Sequence, residues 1–441
     1  MRIIIAIALL TIGCATSAPM SRHTDDAAAS LRELVPARDT SVWQRIRKER
    51  IETLLAPAMR EAGAEAWVLF VRENDNDPLA IHVGGENAGG TAAIMFFVAG
   101  RGVRSIALSP EGEATALRDV GVHDRVVAID RGANVFALAA DEIRRAQPST
   151  IAVNTSSRAA ADGLSATQRA AFEEALGPLA SKLQSSEEIV VRWLSVKLPQ
   201  EVEIMRRAAR VTELLETEAY AQVVPGVTRD SDVARYLKQR MRELDVEDAW
   251  APAQNPAVVS GADRGHTHAT DRVIQPGDII QTDFGIKVGG IWSTDIQRFA
   301  YVLRPGERTP PPDVIAKWEN AKRGNRIALA AMKPGVRGYD VDAAQRVWMR
   351  ERGSEPVPWS TGHPVGYWAH DMGPSLGGAQ RPDSARLLER GQTFAFDGFF
   401  SWPIGDGATK TISVEEMAVV KNDGAEYLIA PQEELILIAS R

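Results

Sequence analysis

Asp397 sits in the middle of Phe394-Ala-Phe-Asp-Gly-Phe-Phe400. A run this apolar reads as a buried strand, and a carboxylate inside such a strand is costly unless it is paired or holds a metal. The chain must therefore fold so that distant residues bring Asp397 a counter-charge. Fifteen residues further on, Ile412-Ser-Val-Glu-Glu-Met-Ala-Val-Val420 repeats the problem, because adjacent Glu415 and Glu416 on a strand place one carboxylate inward and one outward.

At 441 residues the chain exceeds one ordinary domain, and two are expected. Hydrophobic residues at 44% supply enough material for a sizeable core. A net charge of −7 leaves no basic excess to neutralise phosphates, which excludes nucleic acid as a main partner.

The N-terminus reads as a targeting segment. Met1-Arg2 supplies a positive start, and the apolar run from Ile3 to Ile12 is too short for a membrane-spanning helix. Export to a bacterial periplasm or to the envelope is expected, with a signal peptide over 1–20 and a tether over 21–40. Thr11-Ile-Gly-Cys14 resembles a lipobox, with Cys14 as a lipid anchor; the small residues Ala15 to Ala18 suit an ordinary signal peptidase instead. Cys14 is the only cysteine, so a mature chain without its thiol has no disulfide, catalytic cysteine or thiolate metal site.

From residue 41 to 196 a helical pattern is followed by short apolar runs (66–71, 92–98, 105–108, 125–129 and 150–153) with helical stretches between them, the signature of an α/β domain. The Gly84-Gly85…Gly89-Gly90 stretch lacks dinucleotide-loop spacing and reads as a mobile loop. The pattern changes near residue 197. Pro199 opens a long helix with Val202, Met205, Ala208, Val211 and Leu215 on one face, and a second helix carries Val233, Leu237, Met241 and Leu244. Strands dominate afterwards (278–286, 291–302, 393–400, 411–420 and 434–439), interrupted by helices near 313–332 and 339–351. This makes 197–441 an α+β domain.

Four of the seven histidines, His266, His268, His363 and His370, lie in this second domain among acidic residues. Asp283 and Asp295 flank Gly289-Gly290, a good hairpin turn. A turn centred on Gly289 sets them face to face, where like charges destabilise the pair unless a cation lies between them. Two solvent-facing aspartates are the bland alternative. In Thr361-Gly-His-Pro-Val-Gly-Tyr-Trp-Ala-His-Asp371, the two histidines suit one metal ligand and one hydrogen-bond donor, or a structural pair in a loop.

The order Asp, Asp, His, acid, Glu resembles the aminopeptidase P/prolidase/methionine aminopeptidase family. The resemblance extends to Lys197-Leu-Pro-Gln-Glu-Val, Gln275-Pro-Gly-Asp…Thr-Asp-Phe-Gly, Asp295-Ile-Gln-Arg, the Gly-His…His-Asp segment and Val414-Glu-Glu. It implies a pita-bread α+β catalytic domain behind an α/β creatinase-type N-terminal domain. It also implies hydrolysis of a peptide bond, as in Xaa-Pro aminopeptidases and prolidases, through a water activated by two divalent metal ions. By the resemblance Asp283, Asp295, His363, Asp397 and Glu415 are the metal ligands, and His266 and His370 act with Asp397 in catalysis. Counting from Ser260-Gly261 favours His268 over His266. A carboxylate–imidazole set suits Mn²⁺ first, and also Co²⁺, Zn²⁺ or Fe²⁺. Arg298 is a candidate for orienting a carboxylate ligand, or for a surface salt bridge. The implied partners are a peptide substrate and a second copy of the chain in a homodimer.

Several positions depart from the family pattern. Asp397 stands where Glu is usual, Trp359 where proline-specific members carry His, and Ser413 where Arg is frequent. The aspartate pair is one residue wider, which predicts a bulge or longer turn. Two other readings follow: a peptide-binding pita-bread protein with weakened catalysis, and a metal-free creatinase-like amidinohydrolase, against which the retained ligand set counts.

Overall fold

The computed structural model describes residues 31–35, 39–263 and 269–440. The readings placed on the signal segment, on Cys14, and on His266 and His268 lie outside the described residues.

Asp39 caps helix α1 (Thr40–Arg50) by accepting from Ser41 N–H. A π-helical turn (Ile51–Leu55) carries the chain on into α2 (Ala56–Glu61). Then come β1 (Ala66–Val71), α3 (Ala80–Val83), β2 (Ala92–Ala99), β3 (Gly102–Pro110), α4 (Glu111–Val120), β4 (Arg125–Ile129), α5 (Val135–Ala146), β5 (Ile151–Val153), α6 (Ala166–Leu176), β6 (Leu183–Ser185) and α7 (Glu187–Ser195). The six strands form one sheet in the order β4-β3-β2-β1-β5-β6. β1 pairs antiparallel with β2 but parallel with β5, so this is a mixed sheet. Five of its strands follow from the apolar runs; β6, Leu-Gln-Ser, is too polar and short to announce itself. Gly84-Gly85 follows α3 directly, and His82, Val83 and Gly85 are buried.

The second half opens with α8 (Pro199–Ala221) and α9 (Asp230–Leu244). Met205, Ala208, Val211 and Leu215 of α8 and Val233, Leu237, Met241 and Leu244 of α9 are all buried, as the helical period requires; Val202 is only half-buried. The strands are β7 (Glu247–Asp248), β8 (Ala257–Ser260), β9 (Ile279–Phe284), β10 (Ile286–Val288), β11 (Trp292–Ser293), β12 (Ile296–Val302), β13 (Gly362–Pro364), β14 (Thr393–Gly405), β15 (Ala408–Val420), β16 (Ala425–Tyr427) and β17 (Ile436–Ile438). They pair as β11-β10-β7, β17-β12-β9-β8 and β13-β14-β15-β16. Helices α10 (Pro312–Ala331) and α11 (Gly338–Glu351) come between β12 and β13, and α10 packs on β14 and β15. One apolar core runs from Trp43 and Trp67 through α8 to Ile280, Ile296 and Tyr367, which joins the two halves. No helix among the described residues is long and apolar enough to cross a membrane.

Candidate metal centre

Asp283 is the penultimate residue of β9 and is 7% exposed. The sequence expectation that it faces Asp295 directly is corrected by the register. The hairpin pairs Val288 with Trp292 and Lys287 with Ser293, so the turn centres on Gly290, not Gly289. Asp283 is therefore opposite Gln297, and Asp295 lies two residues before that partner. A shift of two keeps both carboxylates on one face, as diagonal neighbours. Gly285 makes the bend possible: a Cβ there would lie 2.2 Å from the Thr294 carbonyl oxygen and 2.5 Å from the Trp250 ring. Ile286 N–H and Thr294 N–H donate to Thr294 Oγ1 and the Ile286 carbonyl, each at 2.9 Å, which closes the base of the hairpin.

His363 is on β13, and its Nε2 lies 3.7 Å from Asp295 Oδ2 and 3.8 Å from Glu415 Oε1. Asp397 on β14 faces Glu415 on β15 directly. His370 stacks near His363, ring centroids 4.2 Å apart. Asp283, Asp295, His363, His370, Asp397 and Glu415 all line one cavity of about 430 Å³. Ligand atoms of Asp295, His363 and Glu415 lie within 4.8 Å of one another, a spacing at which one ion can be held.

The electrostatics ask for a cation. Burial, then the Glu415, Asp283 and Asp397 carboxylates, push Asp295 well above the usual carboxylate range. Burial, then Glu415 and Asp283, do the same to Asp397, against a smaller opposing pull from Arg346. A divalent ion reverses both shifts, because it supplies the missing opposite charge. Four buried carboxylates and one imidazole thus fit a hard or borderline divalent metal.

Gln297, which sequence reasoning missed, borders the cavity beside Asp283. Its Oε1 accepts from Gln281 Nε2 at 2.7 Å and from Ser413 Oγ at 2.6 Å, which turns its amide nitrogen toward Asp283 Oδ2 at 3.5 Å. Ser413 thereby serves the same cluster. Trp250, Gln254, Trp359 and Arg381 complete the walls; the resemblance to the family singles out Trp359, but a tryptophan or arginine in a polar loop carries no periodic signal that would mark Trp250 or Arg381. Arg346 donates to the Trp359 carbonyl, and the Trp359 ring lies 6.2 Å from Phe399. Arg298 fills neither expected role. It is 1% exposed, and its two terminal nitrogens lie 3.1 and 3.2 Å from the carboxylate of Glu416, the member of the Glu415–Glu416 pair that points away from the cavity.

Sheets, helices and acidic cavity together are those of a pita-bread domain behind a mixed α/β domain. Residues 203–422 match metallopeptidase family M24, and the chain carries a domain of that family. Its sequence is 28% identical over 255 residues to "Probable dipeptidase PepE" of Mycobacterium tuberculosis, an alignment covering 57% of this chain and 63% of that protein. The chain thus matches just under two thirds of that relative's length. Among solved structures, the fold is similar to an X-Pro aminopeptidase from Thermotoga maritima (TM-score 0.67, 21% identity, 87% of this chain and 100% of that one). It is also similar to dipeptidase PepE from Mycobacterium ulcerans (TM-score 0.68, 22% identity, 91% and 99%).

Proposed function

We propose that the protein hydrolyses a peptide bond of short peptides, as an Xaa-Pro aminopeptidase or prolidase-like dipeptidase, with two divalent metal ions held by Asp283, Asp295, His363, Asp397 and Glu415. The observation that carries this reading is the convergence of four buried carboxylates and His363 on one solvent-accessible cavity. When bound, the metals supply Lewis acidity and lower the pKa of water. Asp397 is the group assigned to take the proton of the attacking water. His370, at the exposed edge of the cavity, donates a hydrogen bond to the oxyanion that develops on the scissile carbonyl. Trp250 and Trp359 offer aromatic walls to the residues flanking the bond. Mn²⁺ is the first choice of metal.

The shorter acid at 397 favours a second reading, a peptide binder with little catalysis. A panel of Xaa-Pro and non-proline peptides with Mn²⁺ or Co²⁺ separates the two. Metal-dependent release of amino acids is expected; tight binding with no product overturns the hydrolase reading.

The location and assembly complete the proposal: residues 1–20 direct export, Cys14 carries a lipid or is removed, residues 197–441 form the catalytic domain, and the chain acts as a homodimer. Cell fractionation with labelled fatty acid, and light scattering of the purified protein, test these points.

A further inference from the structure

We propose that Arg50, Lys197, Glu201 and Asp371 form a buried, charge-neutral quartet that acts through Tyr367 as a positioning device for the loop carrying His370. Its kinetic consequence rests on the peptidase reading; its structural consequence does not.

All four charged side chains are 8% exposed or less as residues, and Tyr367 is 2% exposed. Lys197 Nζ lies 2.9 Å from Asp371 Oδ2, and Arg50 Nη1 lies 2.7 Å from Glu201 Oε2. Tyr367 joins the pairs: its hydroxyl donates to Glu201 Oε1 at 2.6 Å, and its N–H donates to Asp371 Oδ2 at 2.9 Å. Asp371 immediately follows His370 and also accepts Met372 N–H at 2.8 Å, so one carboxylate gathers the backbone on both sides of that histidine. The Tyr367 carbonyl accepts from Lys287 Nζ at 3.0 Å, which ties the same loop to the hairpin between Asp283 and Asp295. The packing leaves little slack. A Cβ on Gly366 would fall 2.2 Å from Lys197 Cε and 2.4 Å from Asp371 Oδ2.

Arg50 belongs to the N-terminal half, where it also donates to the Val196 carbonyl at 2.7 Å. It reaches the His370 loop through Glu201, which accepts from the Tyr367 hydroxyl, and directly, with its guanidinium 5.3 Å from the centre of the Tyr367 ring. Buried ion pairs are a poor way to gain stability, since apolar residues of similar volume often do as well. What such pairs do supply is directional hydrogen bonding: Glu201 and Asp371 accept from Tyr367 in the His370 loop, while Arg50 and Lys197 donate to the Val196 and Leu194 carbonyls at the end of the N-terminal half. The N-terminal half thus sets the orientation of a residue assigned to the reaction in the other half.

The test uses the full-length, metal-loaded protein with Tyr367→Phe, Arg50→Lys and the double variant. Tyr367→Phe removes one hydroxyl and leaves Glu201 its bonds to Arg50, Leu198 N–H and Trp292. The expected result is about a tenfold lower kcat, with KM within about twofold and metal content unchanged. The double variant should lose no more than the worse single one, because both act along one chain. Histidine-labelled protein loaded with diamagnetic Zn²⁺ should show the His370 ring resonance broadened or doubled in each variant. Unchanged kcat with an unchanged His370 resonance overturns the proposal, as does a double variant whose losses multiply. Should the wild type cleave no peptide at all, the peptidase reading fails, and the His370 resonance alone then decides this inference.

Discussion

Asp397 and Glu415 stand directly opposite each other in the β14–β15 ladder, 8% and 3% exposed. Two like charges so placed weaken the sheet, and a bound cation removes the penalty. The shift on Asp397, and on Asp295 beside it, is upward, from burial first and then from neighbouring carboxylates. A carboxyl raised this way binds its proton more tightly in the folded chain than in the unfolded one. Metal-free protein therefore loses stability as pH rises from the usual carboxylate range, about 4, toward the raised values. Chelation is expected to lower the Tm at pH 7.5, and the gap between metal-free and reconstituted protein should narrow toward pH 5. Scanning fluorimetry of both forms across that range is the check, and a gap indifferent to pH counts against the cation site.

His363 is expected to be as important as the acids, because its Nε2 is within 4 Å of carboxylate oxygens of both Asp295 and Glu415. Asp295→Asn and His363→Ala should each lose bound metal and reduce kcat/KM by about a hundredfold or more. Metal per chain by mass spectrometry, read beside the rate, tests this. A variant that keeps its metal and loses only rate would show that the residue is not a ligand.

Trp359 forms part of the cavity wall next to Pro358 and Ser360. Its carbonyl is held by Arg346, so the backbone should stay in place when the ring is removed. Trp359→Ala is expected to raise KM about tenfold, the loss of an aromatic contact worth roughly 1–1.5 kcal/mol, with kcat within about threefold. Steady-state kinetics on the best peptide of the panel measure it. An equal fall in kcat would assign the ring to the reacting geometry instead.

The sequence made the site more legible than the path of the chain around it. Asp397 and Glu415 could be picked out because a carboxylate in an apolar strand needs a reason, and the reason lies across the ladder. The hairpin of Asp283 and Asp295 was readable as a face but not as a register, because Gly289 and Gly290 are equally good turn centres and only packing around Gly285 and Thr294 chooses between them. Gln297, Trp250 and Arg381 were silent, since their role comes from segments that meet only in the folded chain. Arg298 was misread for a related reason: its partner is Glu416, and which acid of the Glu415–Glu416 pair faces inward is a matter of strand orientation, not of composition.

Arg298 and Glu416 give the clearest case for separating stability from catalysis. Both are buried, and Glu416 also accepts Gln432 N–H at 2.7 Å, so the pair ties β12 and β15 to the C-terminal segment. Removing one partner strands the other charge in the interior, which costs about 3–5 kcal/mol. Glu416→Ala should therefore lower the urea midpoint sharply, and Arg298→Met with Glu416→Met should recover only part of the loss, because Arg298 also lies 3.9 Å from Glu213 and offsets the buried Glu216 carboxyl. Since this pair lies on the face of the strands away from the cavity, folded Glu416→Ala protein should keep its metal content and a kcat within a few-fold of the parent. Loss of metal from that variant at temperatures where it is fully folded would instead make the Arg298–Glu416 pair a support of the neighbouring Asp295 and Glu415, the ligands proposed above.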